Sequence, residues 1–167
     1  TLFMHRLHAR LIARGTPATA FVSQPEPRTI GSFAKGKQLA AGNFQFGGHL
    51  VQAEGRSLWE ITPPDAMYEA ELNGFTWLDD LAAVGDRASR LMAQAWVNEW
   101  IDRFGRGRGL GWSPDLTGRR LIRWINHALF LMNGQTPETN DIYYKSLAHQ
   151  TAYLGRRWSV ASRGLPR

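Results

Sequence analysis

Where proline and glycine fall constrains the fold of this chain more than any composition figure. Ser113-Pro114-Asp115 is a helix start: a capping hydroxyl, a proline in the first turn, and a carboxylate at the positive end of the dipole. From there Leu121, Ile122, Ile125, Ala128, Leu129 and Met132 recur at helical spacing as far as Asn133-Gly134, which is a stop signal. Thr136-Pro137-Glu138 repeats the start grammar almost at once. The two helices on either side of so short a joint are predicted to form a tight antiparallel hairpin. The second places Ile142, Tyr143, Leu147, Leu154 and Trp158 at helical positions, and the small, basic tail after Ser159 is read as loose.

The same punctuation runs upstream. Asp65 is placed to cap a helix through Ala83, with Met67, Leu72, Phe75 and Leu78 as apolar positions. Gly85-Asp86 closes it and caps the next, which carries Ala88, Leu91, Met92, Ala95, Trp96 and Phe104 near one face. Near the start, Leu2, Phe3, Leu7 and Leu11 repeat at helical spacing until Gly15-Thr16-Pro17. A proline-rich loop (Gln24-Pro25-Glu26-Pro27) follows, then a short helical stretch to about Ala41. Residues 42–61 differ. Asn43-Phe44-Gln45-Phe46 alternates polar and apolar before Gly47-Gly48, and irregular structure with one or two short strands is expected there. The fold class is therefore mostly α, built of antiparallel helical hairpins, with no fixed-period repeat. Residues 1–167 read as a single helical domain.

Composition excludes several function classes. There is no cysteine, so disulfide scaffolds and cysteine-ligated zinc or iron–sulfur sites are ruled out. No apolar run approaches the roughly 20 residues of a membrane helix. Thr1 at the start, with Arg6, Arg10 and Arg14 among the first apolar residues, reads as a cut or processed end rather than a signal peptide. The net charge of +6 is uneven: +5 over residues 1–53, −7 over 54–102 and +8 over 103–167. Seventeen of the twenty basic residues are arginine, whose planar fork suits carboxylate, sulfate and phosphate. An anionic partner and an ordinary solvated surface both fit that usage. Nucleic acid is not expected as a partner, since no reading helix or known motif accompanies the arginines.

Most motifs fail on inspection. Gly31-Ser32-Phe33-Ala34-Lys35-Gly36-Lys37-Gln38 nearly matches a phosphate-binding loop, but Gln38 stands where a hydroxyl should hold magnesium. Gly105, Gly107, Gly109 and Gly111 alternate with Arg106, Arg108 and Leu110, which reads as a flexible loop between helices. His5 and His8 have no carboxylate beside them and read as a surface pair, so no metal and no cofactor are expected. No zinc-peptidase or hydrolase-elbow motif occurs. Trp77, Trp96 and Trp124 belong to apolar faces, whereas Trp59 and Trp112, in loops, are the candidates for stacking on a sugar ring. One stripe stands out. Arg119, Arg123 and Asn126, with Arg120 and His127 alongside, bring guanidinium, amide and imidazole to one side of a helix. It suits a carboxylate or sulfate and a general base, or else a hydrogen-bonded polar face.

Four segments together resemble one family. Gly42-Asn43-Phe44-Gln45-Phe46-Gly47-Gly48, followed by Leu58-Trp59-Glu60, is similar to the early motif of heparinase II/III-like proteins. Residues Leu72 to Leu81 (LNGFTWLDDL) resemble that family's next helix. Residues Arg120 to Asn126 (RLIRWIN) resemble its arginine–tryptophan helix, and Ser146 to Leu154 (SLAHQTAYL) the helix after it. The resemblance implies part of an (α/α) toroid, the N-terminal part of a longer chain whose β-sandwich region is not present here. It also implies a polysaccharide lyase that cleaves uronic-acid glycans by β-elimination, and a periplasmic or secreted setting. That chemistry needs a group to neutralise the uronate carboxylate, a base at C5 and an acid for the leaving oxygen. Members use amide or histidine for the first task and tyrosine or histidine for the others. Asn126-His127 matches the family's catalytic pair as two letters, though that pair normally follows the segment matched by Tyr153-Leu154. Tyr143 and Tyr144 are the nearby phenols. The resemblance thus nominates Asn126 and His127 as catalytic and Arg119, Arg123, Trp59 and Trp112 as substrate-binding, with an anionic polysaccharide and the remainder of the chain as partners. A non-catalytic helical module that binds an anionic glycan, or scaffolds a larger protein, is the alternative.

Overall fold

The computed structural model describes Ala9 and residues 30–157. The predicted first helix, the His5/His8 pair, the proline-rich loop and the tail after Ser159 lie outside the described residues. Within them the chain is mostly helical, with one small antiparallel sheet.

Helix α1 (Phe33–Ala40) opens on Ser32, whose hydroxyl accepts from the Lys35 N–H. The near phosphate-loop is therefore an ordinary capped helix. It packs closely on a later helix because glycine lets the backbones approach. A Cβ on Gly31 would lie 2.0 Å from the Asp79 carbonyl oxygen, and one on Gly36 would lie 2.2 Å from that of Asp80. Strands β1 (Asn43–Phe46) and β2 (His49–Gln52) pair antiparallel, with Phe46 opposite His49. Gly47 and Gly48 both have positive φ, the requirement of a two-residue hairpin turn. Phe44 and Phe46 point into the core, edge-on to Trp96 and Tyr68. A one-turn 3-10 helix (Leu58–Glu60) follows, closed by a capping box between Ser57 and Glu60.

The helix predicted from Asp65 to Ala83 breaks into α2 (Ala66–Asn73) and α3 (Thr76–Val84). Phe75 at the elbow is left-handed, with φ +62°, and is the one non-glycine residue with positive φ among those described. Its ring lies 4.8 Å from Trp77, 5.7 Å from Trp59, 5.9 Å from Trp100 and 5.5 Å from Trp124. Tertiary packing of that ring sets the break, and the Trp77 indole N–H donates to the Leu72 carbonyl near it. Helix α4 (Arg87–Phe104) is capped by Asp86, as predicted.

The helix predicted from Asp115 to Met132 also divides, into α5 (Pro114–Asn126) and α6 (Ala128–Met132), with His127 at the joint. Helix α7 (Pro137–Arg157) then returns along α5. Three ties fix its direction. Tyr143 Oη donates to the Trp124 carbonyl, Arg120 Nε donates to Gln150 Oε1, and Tyr153 Oη donates to the Trp112 carbonyl. Partners advance on α7 as they retreat on α5 and the loop before it, so the pairing is antiparallel. The core is a continuous aromatic cluster lined by these helices. Met67, Leu91, Ile122, Leu129 and Ile142, placed on apolar faces by periodicity, are exposed.

Candidate functional site

The arginine–asparagine–histidine stripe of α5 does not face a common ligand space. Arg120 is fully buried. Its guanidinium donates to Gln150 Oε1, Thr117 Oγ1 and the carbonyls of Asn73 and Gly111, and sits 4.2 Å above the Trp100 ring. Burial pulls it down to about 9, and these acceptors with the ring face stabilise the cation against that cost.

Arg123 and His127 converge on one carboxylate from α3. Arg123 Nε lies 3.0 Å from Asp79 Oδ2, and His127 Nε2 lies 2.7 Å from Asp79 Oδ1. A second guanidinium nitrogen of Arg123 donates to the Arg119 carbonyl. Asp79 and His127 are buried, so the network holds the α5–α6 joint against α3 and is closed to a polymer. This corrects the expectation that His127 stands ready as a base: its ring is 4% exposed and lies off the groove. Asn126 is half-buried and Arg119 is exposed. None of the four lines the groove described below. Tyr143 is buried too, stacked on Trp124, with burial pushing its phenol up.

The two loop tryptophans are also corrected. Trp59 is 7% exposed and Trp112 is 1% exposed. Trp59 donates to the Trp96 carbonyl and is ringed by Phe75, Trp77 and Phe104. Trp112 donates to the Phe104 carbonyl at the end of α4 and packs between Trp100, Tyr153 and His149. Loop backbone did not mean exposed rings. An indole gains by burial wherever a helix end leaves it a carbonyl.

Open space lies elsewhere, where the end of α4 and the glycine–arginine loop meet α7. A groove of about 990 Å³ is lined there by Arg103, Arg106, Arg108, Lys145, Asp102 and His149, with smaller polar and apolar neighbours. Arg103 is braced by Glu99 at 2.6 Å and donates to the Trp59 carbonyl. Lys145 pairs with Asp141 at 2.8 Å. Arg106 and Arg108 are exposed on the loop. Gly107 and Gly109 between and beside them each have φ +84°, a conformation that presents successive side chains around a tight path. The segment read from sequence as a plain flexible loop thus supplies two of the groove's cations. Its signal was the regular spacing of glycine and arginine, which by itself names no partner.

His149 forms part of the groove wall. It is buried, and its Nε2–H donates to the Ala9 carbonyl. Burial pushes its imidazole below the ordinary range, while the nearby backbone of Ala9 and Gly105 favours the proton. Among the described residues no group of three or more His, Asp or Glu side chains is placed to hold a metal ion. No helix among them is long and apolar enough to cross a membrane.

No family model matches the chain, and no solved structure does. One curated relative, FtsZ-localized protein C of Caulobacter vibrioides, is 25% identical over 150 residues, covering 89% of this chain and 25% of the relative. The chain therefore spans about a quarter of that protein's length.

Proposed function

We propose that this chain is the N-terminal helical part of a longer heparinase II/III-like protein, contributing part of an (α/α) toroid and a groove for a uronate-containing or sulfated glycan. The observation that carries the reading is the groove, where four basic side chains and one carboxylate line a space of about 990 Å³. Guanidinium and ammonium groups there neutralise a uronate carboxylate, which is what acidifies the proton at C5 in a β-elimination. The base and the acid fall to residues elsewhere in the longer chain, because His127 and Tyr143 are buried away from the groove. The reading therefore keeps the lyase reaction for the whole protein and assigns glycan binding to this part.

A second reading has one observation behind it. The relative's name ties that protein to FtsZ localisation, so a non-catalytic module placed by a protein partner is the competing role. One experiment separates the two. The 167-residue chain and the longer protein are each incubated with heparan, hyaluronan and alginate. Calorimetry reads binding and ultraviolet absorbance reads the unsaturated uronide. Binding by both, with elimination by the longer protein alone, supports the lyase reading. Binding with no elimination by either selects the non-catalytic module, and no binding by either overturns the groove as a glycan site.

A further inference from the structure

We infer that His149 couples the groove to pH: protonation of its ring and occupation of the groove by a polyanion favour one another. The inference rests on the groove being an anion site and concerns how that site is regulated.

His149 lies on α7, buried, between the Ala9 carbonyl and the backbone of Gly105. Gly105 is where α4 ends and the arginine-bearing loop begins. A neutral imidazole has one N–H to offer, whereas the protonated ring has two. The proton therefore adds a donor and a positive charge to the groove wall. Arg103, Arg106 and Arg108 face the same space from α4 and the loop, and Lys145 does so one turn earlier on α7. Asp102 is the one carboxylate of the lining. The Trp112 ring lies tilted at 4.9 Å from the His149 ring, and the Arg120 guanidinium lies 5.6 Å from that indole. His8 and Arg10 flank Ala9 along the chain.

In the empty groove, burial and these cations oppose a further positive charge. An anionic polymer seated among them reverses the sign of the local field, so its binding draws a proton onto His149. Linkage then runs the other way with equal strength. Burial sets the free-state midpoint of the ring below the ordinary imidazole value, and the bound polyanion raises it. Affinity is thus flat above the bound-state midpoint, climbs as pH falls between the two midpoints, and is flat again below the free one. The other described histidines bond elsewhere, His49 to Asp65 and His127 to Asp79, and neither lines the groove.

The test uses dextran sulfate, whose sulfate esters keep their charge throughout, and the 167-residue chain at fixed ionic strength. Between about pH 8 and pH 5, the window in which a histidine titrates, affinity is expected to rise about tenfold, equivalent to a one-unit midpoint shift. The His149 ring resonance should titrate about one unit higher with the polyanion than without it. His149→Gln should flatten the pH dependence, while His8→Ala should leave it intact. The NMR titration needs no variant, so it decides even where the glutamine protein does not fold. An unmoved midpoint, or a pH dependence that survives in folded His149→Gln, overturns the inference while leaving the groove in place. Failure to bind dextran sulfate at any pH overturns the groove reading and this inference with it.

Discussion

The Asp79 network and the α4–α7 groove hold the same kinds of side chain in opposite circumstances. In the first, arginine, histidine and aspartate close on one another: both oxygens of Asp79 have partners, at 3.0 and 2.7 Å. In the second, arginine, lysine, histidine and a single aspartate line an open space. The difference lies in where the counter-charge comes from. Helix α3 delivers Asp79 into the face of α5, so that stripe is neutralised from within. The helices beside the groove pair Arg103 with Glu99 and Lys145 with Asp141, whereas Arg106 and Arg108 are exposed on the loop. A charged stripe on one helix therefore says little about ligands until the facing element is known.

The contrast can be broken by measurement. The largest effect belongs to Arg120, because replacing it strands four acceptors in the core. Arg120→Ala should cost about 4 kcal/mol in urea unfolding; a loss below about 1 kcal/mol would mean that the cation is not structural. Asp79→Asn comes next. It keeps one acceptor but removes the charge shared by Arg123 and His127, and should cost about 2 kcal/mol by the same assay. A neutral outcome there would reopen those two residues as site candidates. The smallest change is expected from Arg106→Ala combined with Arg108→Ala. Stability should move by no more than about 0.5 kcal/mol, while dextran sulfate binding weakens about tenfold. If stability fell instead, the loop arginines would belong with Arg120 rather than with the groove.

Much of the fold was legible because helix starts are written in adjacent residues. Ser113-Pro114-Asp115, Asp86 and Asp65 each cap where their sequence says they should. Short strands were expected around Gly47-Gly48, and the structure joins them there as a hairpin. What was not legible came from distant parts of the chain. Phe75 interrupts a good helical pattern because four indoles surround it, and His127 interrupts another beside a carboxylate 48 residues away. The stacking candidates failed for the same reason: Trp59 and Trp112 are in loops by sequence and in the core by tertiary packing. The charge of +8 over residues 103–167 takes in the cations that line the groove, but it did not single out the loop that carries two of them.

The left-handed turn at Phe75 also limits how this chain can vary. A residue with a Cβ bears about 1–2 kcal/mol there, which glycine would avoid. Glycine, however, would empty the space at the centre of four indoles, at about 3–5 kcal/mol for a vanished phenylalanine ring. A β-branched side chain fits neither the twist nor the space. The position is thus a local optimum with no downhill neighbour. Drift at the elbow between α2 and α3 must wait for compensating change among the tryptophans around it.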